Sequence, residues 1–209
     1  MKITCISDTH MHHKKIIMPK TDMIIHAGDF TYGGEFSEVR KFLHWYGEQQ
    51  AKHKLLICGN HEVEISHHFE DLKKMCENEG IQLLHNSHTV IEGLIIYGSP
   101  FSRTFGHGWA YMTSEEGLAE IYNNILPNVD IIVTHTPAYG RLDKCPNGNV
   151  GSTALLDRIN ELDSLKLHVT AHIHESRGTM IRNGYLTVNA AICGIPYTDV
   201  IINPITVEI

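Results

Sequence analysis

No two cysteines in this chain are spaced Cys-x-x-Cys. The five that occur, Cys5, Cys58, Cys76, Cys145 and Cys193, are scattered and odd in number. That argues against a disulfide framework and a thiolate zinc site, and it fits a reducing cytoplasm. Long apolar runs are missing too. No stretch approaches the roughly 18 residues of a membrane span. The first apolar run, Ile3 to Ile6, is too short for a signal peptide and gives way to Asp8. Positive charge is scarce, with 17 Lys and Arg against 24 Asp and Glu and a net charge of −7. A broad nucleic-acid surface is therefore not expected, whereas small phosphorylated substrates stay open. Repeats, low-complexity tracts and linkers are also absent. The 209 residues are thus expected to form a single domain over 1–209.

Histidine is what the chain has in excess, with 16. Most, roughly two-thirds, are expected at the surface, since histidine is often exposed. The densest group lies in "SDTHMHHKK", where Asp8, His10, His12 and His13 fall within six residues. Taken alone, this stretch fits a metal site or a solvated patch equally well.

Short apolar runs alternate with amphipathic segments. "KITCIS", "MIIHAGD", "KLLICGN", "IIVTHT" and "LHVTAHI" each read as a buried strand entering a polar turn. Val39, Phe42, Leu43 and Tyr46 recur at helical spacing, as do Leu118, Ile121, Tyr122 and Ile125. Leu155, Ile159 and Leu162 follow Ser152, a candidate N-cap. Hairpins are predicted at Glu92-Gly93 and Asn183-Gly184. Together these predict an α/β fold with mixed sheets.

Polar residues gather at the strand ends. Asp8 and His10 follow the first strand, Asp29 the second, and Asn60 and His61 the third. His135 ends a fourth strand, and His172 and His174 end a fifth. Ligands in such sheets bind outside the carboxyl ends of the strands. Any one of these residues alone would read as a turn or cap. Five strands delivering Asp, Asn and His to one edge point to a site. The donors are all oxygen and nitrogen, which suits Mn²⁺, Fe, Zn²⁺ or Mg²⁺, with the histidines tilting away from Mg²⁺ and Ca²⁺. With His61 set apart, seven candidates remain, too many for one ion, so two divalent transition metals are expected, with Asp29 able to bridge them. Glycines in "AGDF" and "CGNH" would let the backbone turn beside them. Asp8 and His10 lie two apart, as do His172 and His174, so each pair would project to one side of an extended chain.

In this order, "DTH", "GDF", "GNHE", "THTP" and "AHIH" resemble the five motifs of the calcineurin-like metallophosphoesterases. "GDFTYGGEFSEVRKF", "GSPFSRTFGHGWAYM" and the tail "TVNAAICGIPYTDVIINPITVEI" resemble the small metallophosphoesterase-domain branch, so the likeness spans essentially the whole chain. The resemblance implies two mixed β-sheets packed face to face with flanking helices. It also implies hydrolysis of phosphate esters, with phosphodiesterase activity on cyclic nucleotides. One metal would take Asp8, His10, Asp29 and His174; the other would take Asp29, Asn60, His135 and His172. Mn²⁺ is favoured, ahead of Fe or Zn²⁺. A metal-held hydroxide would attack, and His61 would protonate the leaving alkoxide.

Some residues depart from the family pattern or lie beside it. Ala171 stands where the last motif usually has Gly, which would strain a positive φ. The second motif reads "GDFTYGG" and not GDxxDRG, which weakens a protein-phosphatase reading. Arg103, Arg141 or Lys144 could supply the missing Arg. Phe101, Phe105, Trp109 and Tyr111 could stack a nucleobase or cap the core. His107 in that loop reads as a rim residue. By parity with His10, His12 would reach substrate at the rim, and His13 would face solvent. The expected function is hydrolysis of small phosphodiesters by a cytoplasmic enzyme without membrane or stable nucleic-acid partners. The alternatives are a phosphomonoesterase or protein phosphatase of the same chemistry, or a non-catalytic interaction module.

Overall fold

The structure is a computed structural model that describes residues 1–194 and 198–209. Ile195 to Tyr197, part of the tail that carried the resemblance, lie outside the described residues.

The first sheet is built from β1 (Lys2–Ile6), β2 (Thr21–Ala27), β3 (Ala51–Ile57) and β4 (Gln82–Leu83), all parallel. The second contains β5 (Ser87–Ile91), β6 (Leu94–Ser99), β7 (Ile131–Thr134), β8 (Leu167–Thr170), β9 (Gly178–Arg182) and β10 (Tyr185–Asn189). Its order is β9-β10-β8-β7-β6-β5, with antiparallel edges around a parallel centre. A last strand, β11 (Ile205–Glu208), closes the first sheet antiparallel to β1. Both expected hairpins are present. Glu92 and Gly93 sit at φ 49° and 81°, Asn183 and Gly184 at 54° and 83°. That is the left-handed pair a two-residue turn requires.

Alternation along the strands sorts the side chains into layers. One face of each sheet meets the other in a buried cluster that includes Ile3, Met23, Ile25, Leu55, Ile131 and Val169. The opposite face of the first sheet packs on α1 (Phe36–Gly47), the short α2 (Val63–Ser66) and α3 (Phe69–Asn78) through Val39, Phe42, Ile65, Leu72 and Cys76. The opposite face of the second packs on α4 (Glu115–Tyr122) and α5 (Thr153–Asn160). Ser152 caps α5 as expected, its side chain accepting from the Leu155 N–H. Two mixed sheets face to face with helices outside is the expected architecture.

Two expectations about histidine fail. Only His44, His67, His68 and His107 are exposed. His13 is buried at 1% exposure against Phe42 and Trp45, because the chain turns into a 3-10 helix at His13–Lys15 and breaks the extended alternation. Ala171 takes no positive φ; the neighbouring His172 does, at 70°. The substitution of Ala for Gly is therefore unstrained.

Candidate metal centre

All seven candidate ligands follow the carboxyl ends of parallel strands β1, β2, β3, β7 and β8. Donor atoms of Asp8, His10 and His174 lie within 4.8 Å of one another, as do those of Asp29, His135 and His172. Asn60 joins the second group, its Oδ1 2.9 Å from His135 Nε2. Parity does not explain the convergence. Asp8, His10, Asp29 and His172 all stand at positive φ, so tight left-handed turns aim these side chains.

The glycines matter at two points. Gly28 has φ +98°, and a Cβ on Gly59 would meet the His135 ring at 2.6 Å as well as the Asp29 carboxylate. Neither position accommodates a side chain without displacing a ligand.

Backbone carbonyls set the histidine tautomers. Nδ1 of His135 donates to the Ala27 carbonyl, Nδ1 of His174 to Cys193, and Nδ1 of His10 to Thr31. Each ring then turns Nε2 toward the cluster. Nε2 of His135 lies 3.3 Å from Asp29 Oδ2, and Nε2 of His174 lies 3.3 Å from Asp8 Oδ1. An unprotonated Nε2 facing a carboxylate is a contact between two acceptors. A second ring proton or a cation between them resolves it. The same field appears in the titration. Burial opposes charge on His135, but Asp29 outweighs it and raises the pKa to about 9. Asp8 does the same for His174. Burial raises the carboxyl pKa of Asp8 and Asp29, but the facing histidines win and hold both well below the usual range. His10 and His172 are pushed down to about 4, mainly by burial, and so stay neutral as a ligand must. Oxygen and imidazole donors without thiolate fit a divalent transition metal.

His61 sits beside this cluster. Its Nδ1 donates to the Tyr32 carbonyl at 2.9 Å, and its ring is 4.5 Å from His10 and from Trp109. His61, His10 and Asp29 also bring donor atoms within 4.8 Å of one another. His12 reaches the rim through Tyr32, whose hydroxyl is 3.0 Å from its Nε2 and whose ring stacks near His10.

The four loop aromatics divide. Phe101 and Tyr111 pack inward on each other and on His85. Phe105 and Trp109, 50% and 38% exposed, stand over His172 and His61. The Ala110 N–H donates to the Asn60 carbonyl and ties this loop to the site. His107 and Arg103 are exposed on it. Arg141 is not brought to the cluster. It is 4% exposed, its Nε donates to the Tyr185 hydroxyl and its Nη1 to the Gly140 carbonyl.

Glu62 and His26 carried no role in the sequence reading, yet both brace the centre. His26 accepts the Gly28 N–H at Nδ1, so Nε2 donates to Thr9 Oγ1 and ties the first two ligand loops together. Burial pushes its pKa down to about 3. The Glu62 carboxylate accepts from Asp29, Phe30, Thr31 and Gly59 N–H and from the Thr31 hydroxyl. Burial and Asp29 push its pKa up to about 8. Five donors favour the ionised, acceptor-only form. A Glu directly after "GNH" was the available signal.

The family model described as Calcineurin-like phosphoesterase matches residues 1–176. The chain is 36% identical to the human Metallophosphoesterase domain-containing protein 1, over 95% of this chain and 68% of that protein. The mouse protein of the same name matches equally. Among solved structures, phosphopantetheinyl hydrolase of Mycobacterium tuberculosis is similar at TM-score 0.64 and 14% identity, over 91% of this chain and 89% of that one. An archaeal phosphodiesterase is similar at TM-score 0.52 and 19% identity, over 94% and 87%.

Proposed function

We propose, from the premise that this chain belongs to the calcineurin-like phosphoesterase family, that it hydrolyses small phosphodiesters, cyclic nucleotides among them, at a dinuclear centre. Membership makes it a metal-dependent hydrolase of phosphate esters. The observation that carries the finer reading is the exposed pair Phe105 and Trp109 standing over His172 and His61. Aromatic faces beside the reacting centre suit a compact ester with a planar base.

In this reading Asp8, His10, Asp29 and His174 hold one ion, and Asp29, Asn60, His135 and His172 hold the other, with Mn²⁺ favoured. When bound, the ions supply Lewis-acid polarisation of the phosphoryl oxygens and lower the pKa of water. Asp29 brings a donor atom within 4.8 Å of one on His10 and of those on His135 and His172, so it would serve both ions. His61 handles the leaving group. The Tyr32 carbonyl keeps Nδ1 a donor and orients the ring, leaving Nε2 as the atom that gives its proton to the departing alkoxide. Trp109 covers one side of that ring and limits water there.

The test is a panel. Mn²⁺-reconstituted protein is given bis- and mono-p-nitrophenyl phosphate, 2′,3′- and 3′,5′-cyclic nucleotides and a phosphopeptide. Faster turnover of at least one diester than of any monoester supports the reading. Faster turnover of the monoester or phosphopeptide overturns it.

A further inference from the structure

The two carboxylates Asp29 and Glu62 hold each other's loops. Glu62 Oε2 accepts the N–H of Asp29 at 3.0 Å and of Gly59 at 2.6 Å. Oε1 accepts the N–H of Phe30 and Thr31, each at 3.0 Å, and the Thr31 hydroxyl at 2.8 Å. In return, Asp29 Oδ1 accepts the N–H of His61 at 2.8 Å. The loop after β2 and the loop after β3 are thereby clasped through side chains that are almost fully buried. Asp29 itself stands at φ 57°, a left-handed conformation that a non-glycine residue keeps only where neighbours impose it. Three of Glu62's five donors come from Asp29 and the two residues after it, counting backbone N–H groups alone.

We infer that Glu62 is a positioning residue for the two-ion centre: its carboxylate locks Asp29 in the left-handed turn that presents one carboxylate to both groups of donors, and fixes Asn60 and His61 relative to it. Its carboxylate is taken up by these loop donors and belongs to none of the groups of close metal-ligating atoms. Its chemistry is specific, because each oxygen receives at least two donors. A glutamine offers one acceptor oxygen, and its NH₂ group would face at least two N–H donors at 3.0 Å or less. The inference rests on the proposed dinuclear reading, but its test does not use turnover.

The experiment titrates Mn²⁺ into the whole chain and follows the exchange-coupled Mn²⁺–Mn²⁺ signal by electron paramagnetic resonance, normalised to folded protein by circular dichroism. In Glu62→Gln the affinity of the weaker site should fall by roughly 10–100-fold, the usual cost of removing an outer-shell partner. The coupled signal should fall with it. Glu62→Asp keeps every acceptor and should regain part of the signal. Glu62→Gln protein that folds and keeps both the coupled signal and the affinity within about twofold overturns the inference, since a merely structural role would lower stability alone. Should Glu62→Gln fail to fold, Thr31→Val removes one donor only. It should still weaken Mn²⁺ binding measurably, and unchanged binding would overturn the inference. Wild-type protein that forms the coupled pair but cleaves no ester refutes the proposed function and leaves this inference standing. Wild-type protein without a coupled pair refutes both.

Discussion

Nε2 of His135 lies 3.3 Å from Asp29 Oδ2, while its Nδ1 donates to the Ala27 carbonyl. The ring proton is thus committed to the backbone, and the lone pair is aimed at an anion. That arrangement is stable only with a cation at the contact, either a second ring proton or a metal. In the proposed dinuclear reading Asp29 serves both ions, so Asp29→Ala weakens both sites at once and leaves Asp8 as the carboxylate of the first group. It should do more damage than any other ligand substitution, lowering both bound metal and turnover by more than roughly 100-fold, beyond the usual cost of outer-shell changes. Elemental analysis and rate measurement of matched variants check this, and an equal or larger loss in His172→Ala would contradict it.

For His61 the expected signature is a contrast between leaving groups. His61→Ala should keep both metals while its rate falls by roughly 10²–10⁴, the usual contribution of general acid–base catalysis. The loss should be large for a cyclic nucleotide, whose alkoxide must be protonated, and small for bis-p-nitrophenyl phosphate. Equal losses would make His61 a source of charge stabilisation only, and an emptied centre would make it a ligand.

Gly59 is required for space rather than for backbone freedom. A Cβ there would strike the His135 ring and the Asp29 carboxylate. Gly59→Ala should therefore destabilise by about 1–3 kcal/mol, as overpacking usually does, and should also weaken metal binding. Thermal melts with and without Mn²⁺ read both effects. A variant with unchanged melting and unchanged metal binding would show that the loop relaxes freely.

His168 supplies a pH dependence away from the centre. It is buried in the second sheet, its Nε2 2.8 Å from Thr134 Oγ1, and burial pushes its pKa down to about 3. The unfolded chain has an ordinary histidine pKa near 6.5. Between these values the unfolded state binds the extra proton, so stability is full above about pH 6.5 and falls as pH drops below it. His168→Gln should flatten that fall by about 1.4 kcal/mol per pH unit, the value of one proton. Denaturant titrations at pH 7, 6 and 5 measure the slope, and identical slopes would contradict the assignment.

Much of this was legible in the sequence. The alternating apolar runs announce the parallel strands, and Asp, Asn and His at their ends announce the edge where they meet. What the sequence concealed follows from local geometry. Parity aimed His13 at solvent, but a 3-10 turn buries it against Trp45. Arg141 looked like a loop charge available to substrate, yet its guanidinium runs inward to Tyr185. Glu62 and His26 act through hydrogen bonds to backbone N–H groups, and such bonds depend on loops brought together by β2 and β3 pairing. No periodicity records them.

The most direct measurement is the metal content of purified, metal-saturated protein, taken together with its turnover before and after chelation. Two divalent transition metals per chain, with activity abolished by chelation and restored by Mn²⁺, is the predicted result. One metal or none per chain, or activity that survives complete chelation, would contradict the dinuclear account.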